Sequence, residues 1–492
     1  MMKRFCCLFL ALMAILACGA VLAEGELPLE AIAEDRPQYL IALSLDTQEN
    51  RLHETVTVSF CNNSGEILKD IWLRDYVPEV QEHAQPGAYA SSVLAVTDAK
   101  SGAELAFEAD RQRGLIIVTP LKPLEPGEAM SIELEYEADI PIATNERFQV
   151  SGFKKSNGVT YKLCQFYPVL CMRRDGEWVY HPYEFNGEAF FSECANYQVT
   201  LSLPSEFTVV ATGREVPFHG ASDGQTLWSI GATDVRDMVI LASTEYFEPF
   251  TGKVGDVTVN SYYATSEQRK QAELSLQAAM NSVELFEEKF GPYPYDELDV
   301  CITQMMQFAA GIEYPGLVEI WQIPEVTRSH VRTIVSHEVA HQWFYGIVGN
   351  DQYDEAFLDE AFAFYAQAVY MRYIDGKSKG EIADIVKTNK ADKPVLPVDL
   401  SLDEYKALAG DGYLDSYTLA VYRSGRAFLW EVQNVMGDDA FFEMIRRWVA
   451  AQTFKTPTID QFIEHLYQCT GRNEKIVALV EKYMQRGVGA AN

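Results

Sequence analysis

The hydrophobic pattern of this 492-residue chain changes near Thr265, and the change limits the folds that are open to it. Before this point, apolar and polar residues alternate in short runs such as "HETVTVSFCN" and "YQVTLSLPS", which is typical of half-buried strands. After it, "TSEQRKQAELSLQAAMNSVELFEEKFG" has helical spacing, and so does most of the remaining sequence. We therefore predict a multidomain α+β protein, with a β-sandwich-like N-terminal domain over residues 24–250 and a mostly helical domain over residues 251–492.

The first 23 residues are predicted to be a secretory signal peptide rather than part of the fold. Lys3 and Arg4 precede a long apolar run, and Ala23 ends a cleavage site of small residues. The run also contains "ILAC", which resembles a lipoprotein signal and would place a lipid anchor on Cys18. Plain export is favoured over lipidation, and in both cases we expect the protein outside the cell, in the periplasm or at the cell envelope. No later segment approaches the ~18 apolar residues that a membrane-spanning helix needs.

The charge of the chain excludes one class of partner. Its formal net charge is −31, and nucleic acid is not an expected partner because phosphate binding needs basic patches. The cysteines outside the signal match no zinc-ribbon spacing. Cys164 and Cys171 either pair across a short loop or remain free thiols, and in neither case do they carry the function.

The segment "SHEVAHQWFYG" has the spacing of a metal site on a helix. We predict one helix from Glu325 to Tyr345, on which His337 and His341 lie one turn apart and can bind the same ion. Glu338 lies about 100° round the helix from His337, close enough to act on a metal-bound water without binding the metal. A helix that carries two histidines by chance is the alternative interpretation.

A catalytic zinc needs three protein ligands and one open position, so a further ligand must lie elsewhere in the chain. His330 is seven residues before the motif, a rise of about 10.5 Å, which is too far. The following segment, "YDEAFLDEAFAFYAQAVYMRY", predicts a second helix with Asp354 as its N-cap. An antiparallel arrangement of the two helices brings Glu360 beside the histidine pair. The acids of this helix are Glu355, Asp359 and Glu360.

These motifs together resemble the gluzincin aminopeptidases, the family of membrane alanyl aminopeptidase and leukotriene hydrolase. In that family H-E-x-x-H is followed, after eighteen residues, by the glutamate of W-L-N-E-G-F-A. This chain has Phe357, Asp359 and Ala361 where Trp, Asn and Gly are usual, and Glu360 stays in the ligand position.

The resemblance covers about Tyr39 to Arg486, and the chain ends before the C-terminal helical domain that some members carry. It implies a thermolysin-like catalytic domain with one Zn²⁺, held by His337, His341 and Glu360.

Three further segments are similar to the same family and imply roles at the active site. "FAAGIEYPGLVEI" resembles the G-x-M-E-N edge strand, in which Glu313 would bind the α-amino group of the substrate. "LAVYRSGRAFL" resembles V-Y-x-K-G, in which Tyr422 would donate to the oxyanion, with Tyr417 as a weaker candidate. Gln165 in "KLCQFYP" would be a substrate contact from the β-rich domain.

The resemblance implies an exported zinc aminopeptidase that acts on peptides with a free N-terminus. Glu338 would take a proton from the zinc-activated water and pass it to the leaving amine. Glu313 would restrict cleavage to the first peptide bond. Two alternatives stay open: a thermolysin-type endopeptidase without the amine anchor, and a catalytically inert exported peptide-binding protein. An epoxide-hydrolase side activity is a remoter option.

Overall fold

The computed structural model describes residues 36–142, 150–155, 158–184, 190–222, 224–303, 310–388 and 396–486. The predicted signal peptide and Cys18 lie outside these residues. Within them, a β-rich N-terminal part precedes a mostly helical part, which confirms the predicted fold class. None of the helices in the described ranges is long and apolar enough to cross a membrane.

The N-terminal part is a stack of mostly antiparallel sheets, in which β1 and β13 pair in parallel, with one short helix. The helix is α1 (Val77–Ala84). The strands are β1 (Gln38–Asp46), β2 (Arg51–Cys61), β3 (Ile71–Arg74), β4 (Ser91–Asp98), β5 (Ala106–Asp110), β6 (Leu115–Thr119), β7 (Ala129–Asp139), β8 (Ser151–Lys155), β9 (Gly158–Cys164), β10 (Val169–Leu170), β11 (Arg173–Arg174), β12 (Glu177–Trp178), β13 (Ala195–Pro204), β14 (Thr208–Ala211), β15 (Arg214–Ser222), β16 (Gln225–Val235) and β17 (Val239–Ser243).

The largest N-terminal sheet has the order β15-β16-β13-β1-β2-β7-β4. The alternation seen in the sequence produces its two faces, because side chains in a strand point alternately to opposite sides. In β1 and β2 every second residue is buried, and Ile41 pairs with Val56, which pairs in turn with Leu134 of β7. Two smaller sheets, β10-β3-β6-β5 and β14-β17-β9-β8, pack against this buried face.

The helical part begins with one mixed sheet, in the order β18-β19-β20-β22-β21. Its strands are β18 (Phe250–Val254), β19 (Val257–Tyr262), β20 (Glu297–Thr303), β21 (Gly311–Ile312) and β22 (Leu317–Trp321). The helices are α2 (Arg269–Phe290), α3 (Arg328–Ala340), α4 (Glu360–Tyr373), α5 (Lys379–Thr388), α6 (Leu402–Ala409), α7 (Tyr413–Tyr417), α8 (Gly425–Met436), α9 (Asp438–Gln452), α10 (Ile459–Thr470) and α11 (Glu474–Tyr483). A π-helical turn, Thr418–Ser424, joins α7 to α8.

The helix that carries the two motif histidines is shorter than predicted. The sequence predicted a helix from Glu325 to Tyr345, but α3 begins after Thr327, whose side chain caps the backbone N–H of His330. At the other end the helix stops at Ala340 and the chain turns back on itself, with the N–H of Gly346 donating to the carbonyl of His341.

The prediction of Asp354 as the N-cap of the second helix is wrong. Between Asp354 and the helix the chain makes a 3-10 turn at Ala356–Leu358, and α4 starts only at Glu360. Asp359 is the cap, because its side chain accepts a hydrogen bond from the N–H of Glu360. The ligand candidate is therefore the first residue of the helix rather than an interior one.

Candidate active site

Three side-chain atoms converge where the start of α4 meets the end of α3. Nε2 of His337 lies 3.2 Å from Nε2 of His341 and 3.2 Å from Oε2 of Glu360, and the third side of this triangle is 3.5 Å. We call His337, His341 and Glu360 the ligand triad. All three come from the two motifs that the sequence predicted to form a metal site, and the structure brings them together.

The dimensions of the triad fit a tetrahedral zinc. Ligand atoms about 2.0–2.1 Å from such an ion lie about 3.3 Å from one another, which is close to all three measured separations. Two imidazole nitrogens and one carboxylate oxygen are also a donor set that zinc prefers in catalytic sites. A tetrahedral ion held by these three atoms would keep a fourth position for water or substrate, as a catalytic site requires.

Hydrogen bonding fixes the tautomer of His341. Its Nδ1 lies 3.0 Å from the carbonyl oxygen of Phe344, an acceptor, so Nδ1 carries the proton and Nε2 presents its lone pair to the triad. Burial lowers the pKa of His341, but the hydrogen bond and charge of Glu360 outweigh it and raise the pKa to about 9. A metal ion and a proton therefore compete for Nε2.

Glu360 is held as a carboxylate by its surroundings. Burial raises its pKa, but the hydrogen bonds and charges of His337 and His341 outweigh burial and hold the pKa well below its usual range. Asp359 caps the N-terminus of the helix that begins with Glu360. It also accepts a hydrogen bond of 2.8 Å from the side-chain amide of Asn350. The sequence analysis missed this cap, although an aspartate directly before a helical run is the signal that marks one.

Glu338 and Glu313 form the acidic side of the site. Both are buried, and a carboxylate oxygen of each lies within 4.8 Å of the other and of a ring nitrogen of His341. Glu313 directly follows β21, at the edge of the mixed sheet. At Gly311 in this strand, a β-carbon would lie 2.3 Å from the carboxyl group of Glu338, so a larger residue there would displace this carboxyl group.

Gln342 joins the motif helix to the loop that follows Glu313. Its side-chain amide donates to the carbonyl of Tyr314 at 3.0 Å and accepts from the N–H of Gly316 at 2.8 Å. The two bonds fix the position of the Glu313 backbone relative to the triad. Sequence reasoning missed this residue, because nothing local to "AHQW" indicates which loop its side chain contacts.

Tyr422 lies in the π-helical turn, a type of helical irregularity that is frequent at functional sites. Its hydroxyl donates to Oε1 of Glu360, and its ring stacks on His337 with centroids 6.2 Å apart. Tyr417, the weaker candidate for the same role, packs edge-on against the Tyr422 ring and against Tyr405. The hydroxyl of Tyr422 lies on the triad, as the role proposed for this residue requires.

Gln165 lies in the β-rich part and is nearly fully buried. Its side-chain amide donates to one carboxylate oxygen of Asp237, and the hydroxyl of Tyr345 donates to the other. Glu313 is near enough to contribute to the raised pKa of Tyr345. Gln165 therefore belongs to a buried network behind the Glu313 side of the site, and its contact with substrate stays a prediction.

The remaining sequence candidates lie away from the site. His330 is exposed on the first turn of α3 and is not part of the triad, as expected from its spacing. Cys164 and Cys171 are buried free thiols in the structure.

Comparison with known proteins gives consistent matches. Residues 274–483 match the profile described as "Peptidase family M1 domain". The rice protein Aminopeptidase M1-A is 23% identical over 372 residues, which are 70% of this chain and 39% of that protein. Aminopeptidase N of Haemonchus contortus is 24% identical over 263 residues, which are 50% of this chain and 26% of that protein. The chain thus spans well under half of the length of these curated relatives.

One group of solved structures matches over nearly the full length of both chains. A mutant of the M1 zinc metallopeptidase from Deinococcus radiodurans, bound to a Tyr-Ser-Ala substrate, superposes with a TM-score of 0.64. The sequences are 17% identical, and the match covers 92% of this chain and 94% of that chain. At this identity the likeness establishes the shared fold.

Proposed function

We propose that this chain is a zinc-dependent aminopeptidase of peptidase family M1, the gluzincin zinc peptidases, whose profile matches residues 274–483. The observation that carries the proposal is the position of Glu313. A second buried carboxylate beside the catalytic glutamate and the triad is an anchor for a protonated amine. A peptide held there by its N-terminus has its first peptide bond at the triad.

Zinc held by the triad would supply a Lewis acid that polarises the scissile carbonyl and makes a water molecule more acidic. Residues of the chain supply the proton transfer, the hydrogen bond to the oxyanion and the binding of the amine. The carboxylate of Glu338 takes the proton of the attacking water and transfers it to the nitrogen of the leaving residue. The phenol of Tyr422 donates a hydrogen bond to the oxygen that becomes negatively charged. Glu313 holds the amine throughout and sets the register of cleavage.

The structure of the substrate-bound relative agrees with this class of substrate. The Deinococcus radiodurans metallopeptidase mutant was solved with Tyr-Ser-Ala, a short peptide. We infer that short peptides with a free N-terminus are substrates of this chain too. The relatives Aminopeptidase M1-A and Aminopeptidase N support the same activity class.

The test is a panel of fluorogenic amino-acid amides together with their N-acetylated counterparts. The proposal predicts turnover of the free amides only, and loss of turnover with a zinc chelator or in Glu338→Gln. Glu338→Gln keeps the volume of the side chain and removes the base, so retained zinc content in the variant is the control for folding. Equal turnover of acetylated substrates would replace the proposal by an endopeptidase. No turnover of either series, with zinc bound, would favour an inert peptide-binding protein.

We also propose that the protein is exported. The support is the sequence of the first 23 residues, with Lys3 and Arg4 before an apolar run. Mass spectrometry of the mature protein from its native host tests this proposal. An N-terminus at Glu24 indicates plain export, and a lipidated Cys18 indicates an anchored form. Retention of the intact N-terminus would refute both.

A further inference from the structure

Arg426, on the first turn of α8, is a buried guanidinium with no role in the proposed mechanism. It is only 2% exposed, and its Nε and Nη2 donate to no acceptor among the residues that the structure describes. Burial, and then the positive charge of Arg423, lower its pKa to about 10, and no acidic group of the described ranges offsets them. A buried cation without a counter-ion is unfavourable, so this arrangement indicates a site for an anion.

The guanidinium lies close to the ligand triad. Its carbon is 4.3 Å from the ring centroid of Phe364. The Phe364 ring is 6.2 Å from the ring of His337 and 5.9 Å from the ring of Tyr422. These contacts place the guanidinium carbon at most about 10.5 Å from the centre of the His337 ring, or the span of about three extended residues.

The packing of two helices holds Arg426 in this position. Helices α4 and α8 approach so closely at Gly425 that a β-carbon there would lie 2.4 Å from the β-carbon of Ala361. Glu360 and Phe364 lie one turn apart on α4, and Tyr422 and Arg426 are likewise four residues apart on the facing segment. The same contact between helices therefore positions the triad, the tyrosine and the guanidinium.

Arg426 and Glu313 are connected to the triad through different residues. Glu313 is adjacent to Glu338 and His341, whereas Arg426 is reached through Phe364, which contacts the ring of His337. A peptide whose amine is bound by Glu313 and whose first carbonyl lies at the triad directs its next residue away from Glu313. A chain that leaves past Phe364 approaches the guanidinium.

We propose that Arg426 binds a carboxylate on the leaving residue of the substrate. The inference rests on the proposed aminopeptidase function and narrows its substrates to dipeptides with a free C-terminus or peptides with an acidic second residue. The separation of at most about 10.5 Å bounds the path from the His337 ring to the guanidinium carbon, and one extended residue of about 3.5 Å with a guanidinium–carboxylate pair of about 4 Å covers most of it. Nε and Nη2 are the two donors on one edge of the guanidinium, and together they match the two oxygens of a carboxylate.

Matched substrates test the inference. Leucylglycine and leucylglycinamide differ only in the C-terminal carboxylate, and the amides of leucylaspartate and leucylasparagine differ only in the side-chain carboxylate. We expect the wild type to prefer the charged member of at least one pair by about tenfold in kcat/KM. Arg426→Gln should reduce that ratio to near one, and Arg426→Lys should retain part of it. The matched control is Arg423→Gln, which removes an equal charge from an exposed neighbour and should keep the wild-type ratio.

Calorimetry gives a readout that does not need turnover. With zinc-loaded Glu338→Gln, leucylglycine should bind about tenfold more tightly than leucylglycinamide, or the aspartyl amide more tightly than the asparaginyl amide, and adding Arg426→Gln should remove the difference. The pair that shows the difference in affinity identifies the carboxylate that Arg426 binds, either the C-terminal one or the side-chain one. Equal use and equal binding within both pairs would overturn the inference, as would a preference that survives Arg426→Gln. Absence of all turnover would overturn the aminopeptidase proposal, while calorimetry still decides the role of Arg426.

Discussion

At the scale of single residues, the site depends on groups that do not themselves face the substrate. Asp359 caps the helix that begins with the ligand Glu360, and Asn350 fixes Asp359. Gln342 performs the same task for Glu313 by binding the next loop through two backbone groups. Such partners orient the metal ligands and the residue that binds the substrate amine. Their loss therefore changes the affinity for metal or substrate even though the reacting groups remain.

Replacement of the cap should weaken both the helix and the metal site. Asp359→Ala removes the acceptor for the N–H of Glu360, and we expect a loss of about 1 kcal/mol in the free energy of unfolding. We also expect weaker zinc binding, measured by competition with a chromogenic chelator. The control is Asp354→Ala, in which a nearby acid that caps no helix is removed. Equal effects of the two substitutions would contradict the assignment of the cap.

Loss of Gln342 should change substrate binding more than chemistry. In Gln342→Ala the loop after Glu313 loses two hydrogen bonds, so the amine anchor is held less firmly. We expect KM for a free amino-acid amide to rise by about tenfold while zinc content is unchanged. Steady-state kinetics with metal analysis checks this expectation. A fall in zinc content, with KM preserved, would show that Gln342 supports the triad instead.

At the scale of helices and strands, local sequence predicted the type of element better than its ends. H-E-x-x-H on a helix and a glutamate on the next one could be read directly, because both motifs are local and periodic. The start of α4 could not be predicted from the sequence, because Asp354 and Asp359 are both acids suited to an N-cap. In the structure a 3-10 turn separates them. The contacts of Gln342 and the unpaired state of Arg426 depend on tertiary packing, which no local pattern records.

The close contact between α4 and α8 should be sensitive to one methyl group. Gly425→Ala places a β-carbon 2.4 Å from that of Ala361, so the helices must separate. We expect a loss of about 1–3 kcal/mol in stability and a fall in kcat, because Tyr422 and Arg426 move with α8. Thermal denaturation and steady-state kinetics measure the two effects. Gly412→Ala is the control, since a β-carbon at that position meets nothing within 4 Å.

The acidic cluster of Glu215 on β15 with Glu297 and Asp299 on β20 should make the free energy of unfolding depend on pH. Burial, followed by the charge of Glu297, raises the pKa of Glu215 to about 8, above the usual value near 4.5 in the unfolded chain. The folded state therefore binds the extra proton, and the stability contributed is present below about pH 4.5 and is lost as pH rises toward 8. Glu215→Gln should gain stability relative to the wild type across this interval, followed as melting temperature against pH. A constant difference between the two proteins would contradict this assignment.

At the scale of the whole molecule, the β-rich part is joined to the helical part by a buried arginine. Arg236 donates to the carbonyls of Tyr345 at 2.8 Å, Ser192 at 3.0 Å and Lys455 at 2.6 Å. Through Tyr345, this junction lies next to the network that includes Gln165 and Asp237. The change of hydrophobic pattern near Thr265 predicted a β-rich part and a helical part. The contacts of Arg236 join residues up to 219 positions apart, and no sequence pattern indicated them.

The most direct test of the central claim is the pattern of products from one peptide. A decapeptide and its N-acetylated form are incubated with the wild type and with Glu313→Gln, and products are followed by mass spectrometry. We expect stepwise loss of residues from the free N-terminus, no cleavage of the acetylated form, and a rate lower by about 10- to 100-fold in Glu313→Gln. Internal cleavage, or equal cleavage of the acetylated peptide, would contradict the role of Glu313 and with it the assignment as an aminopeptidase.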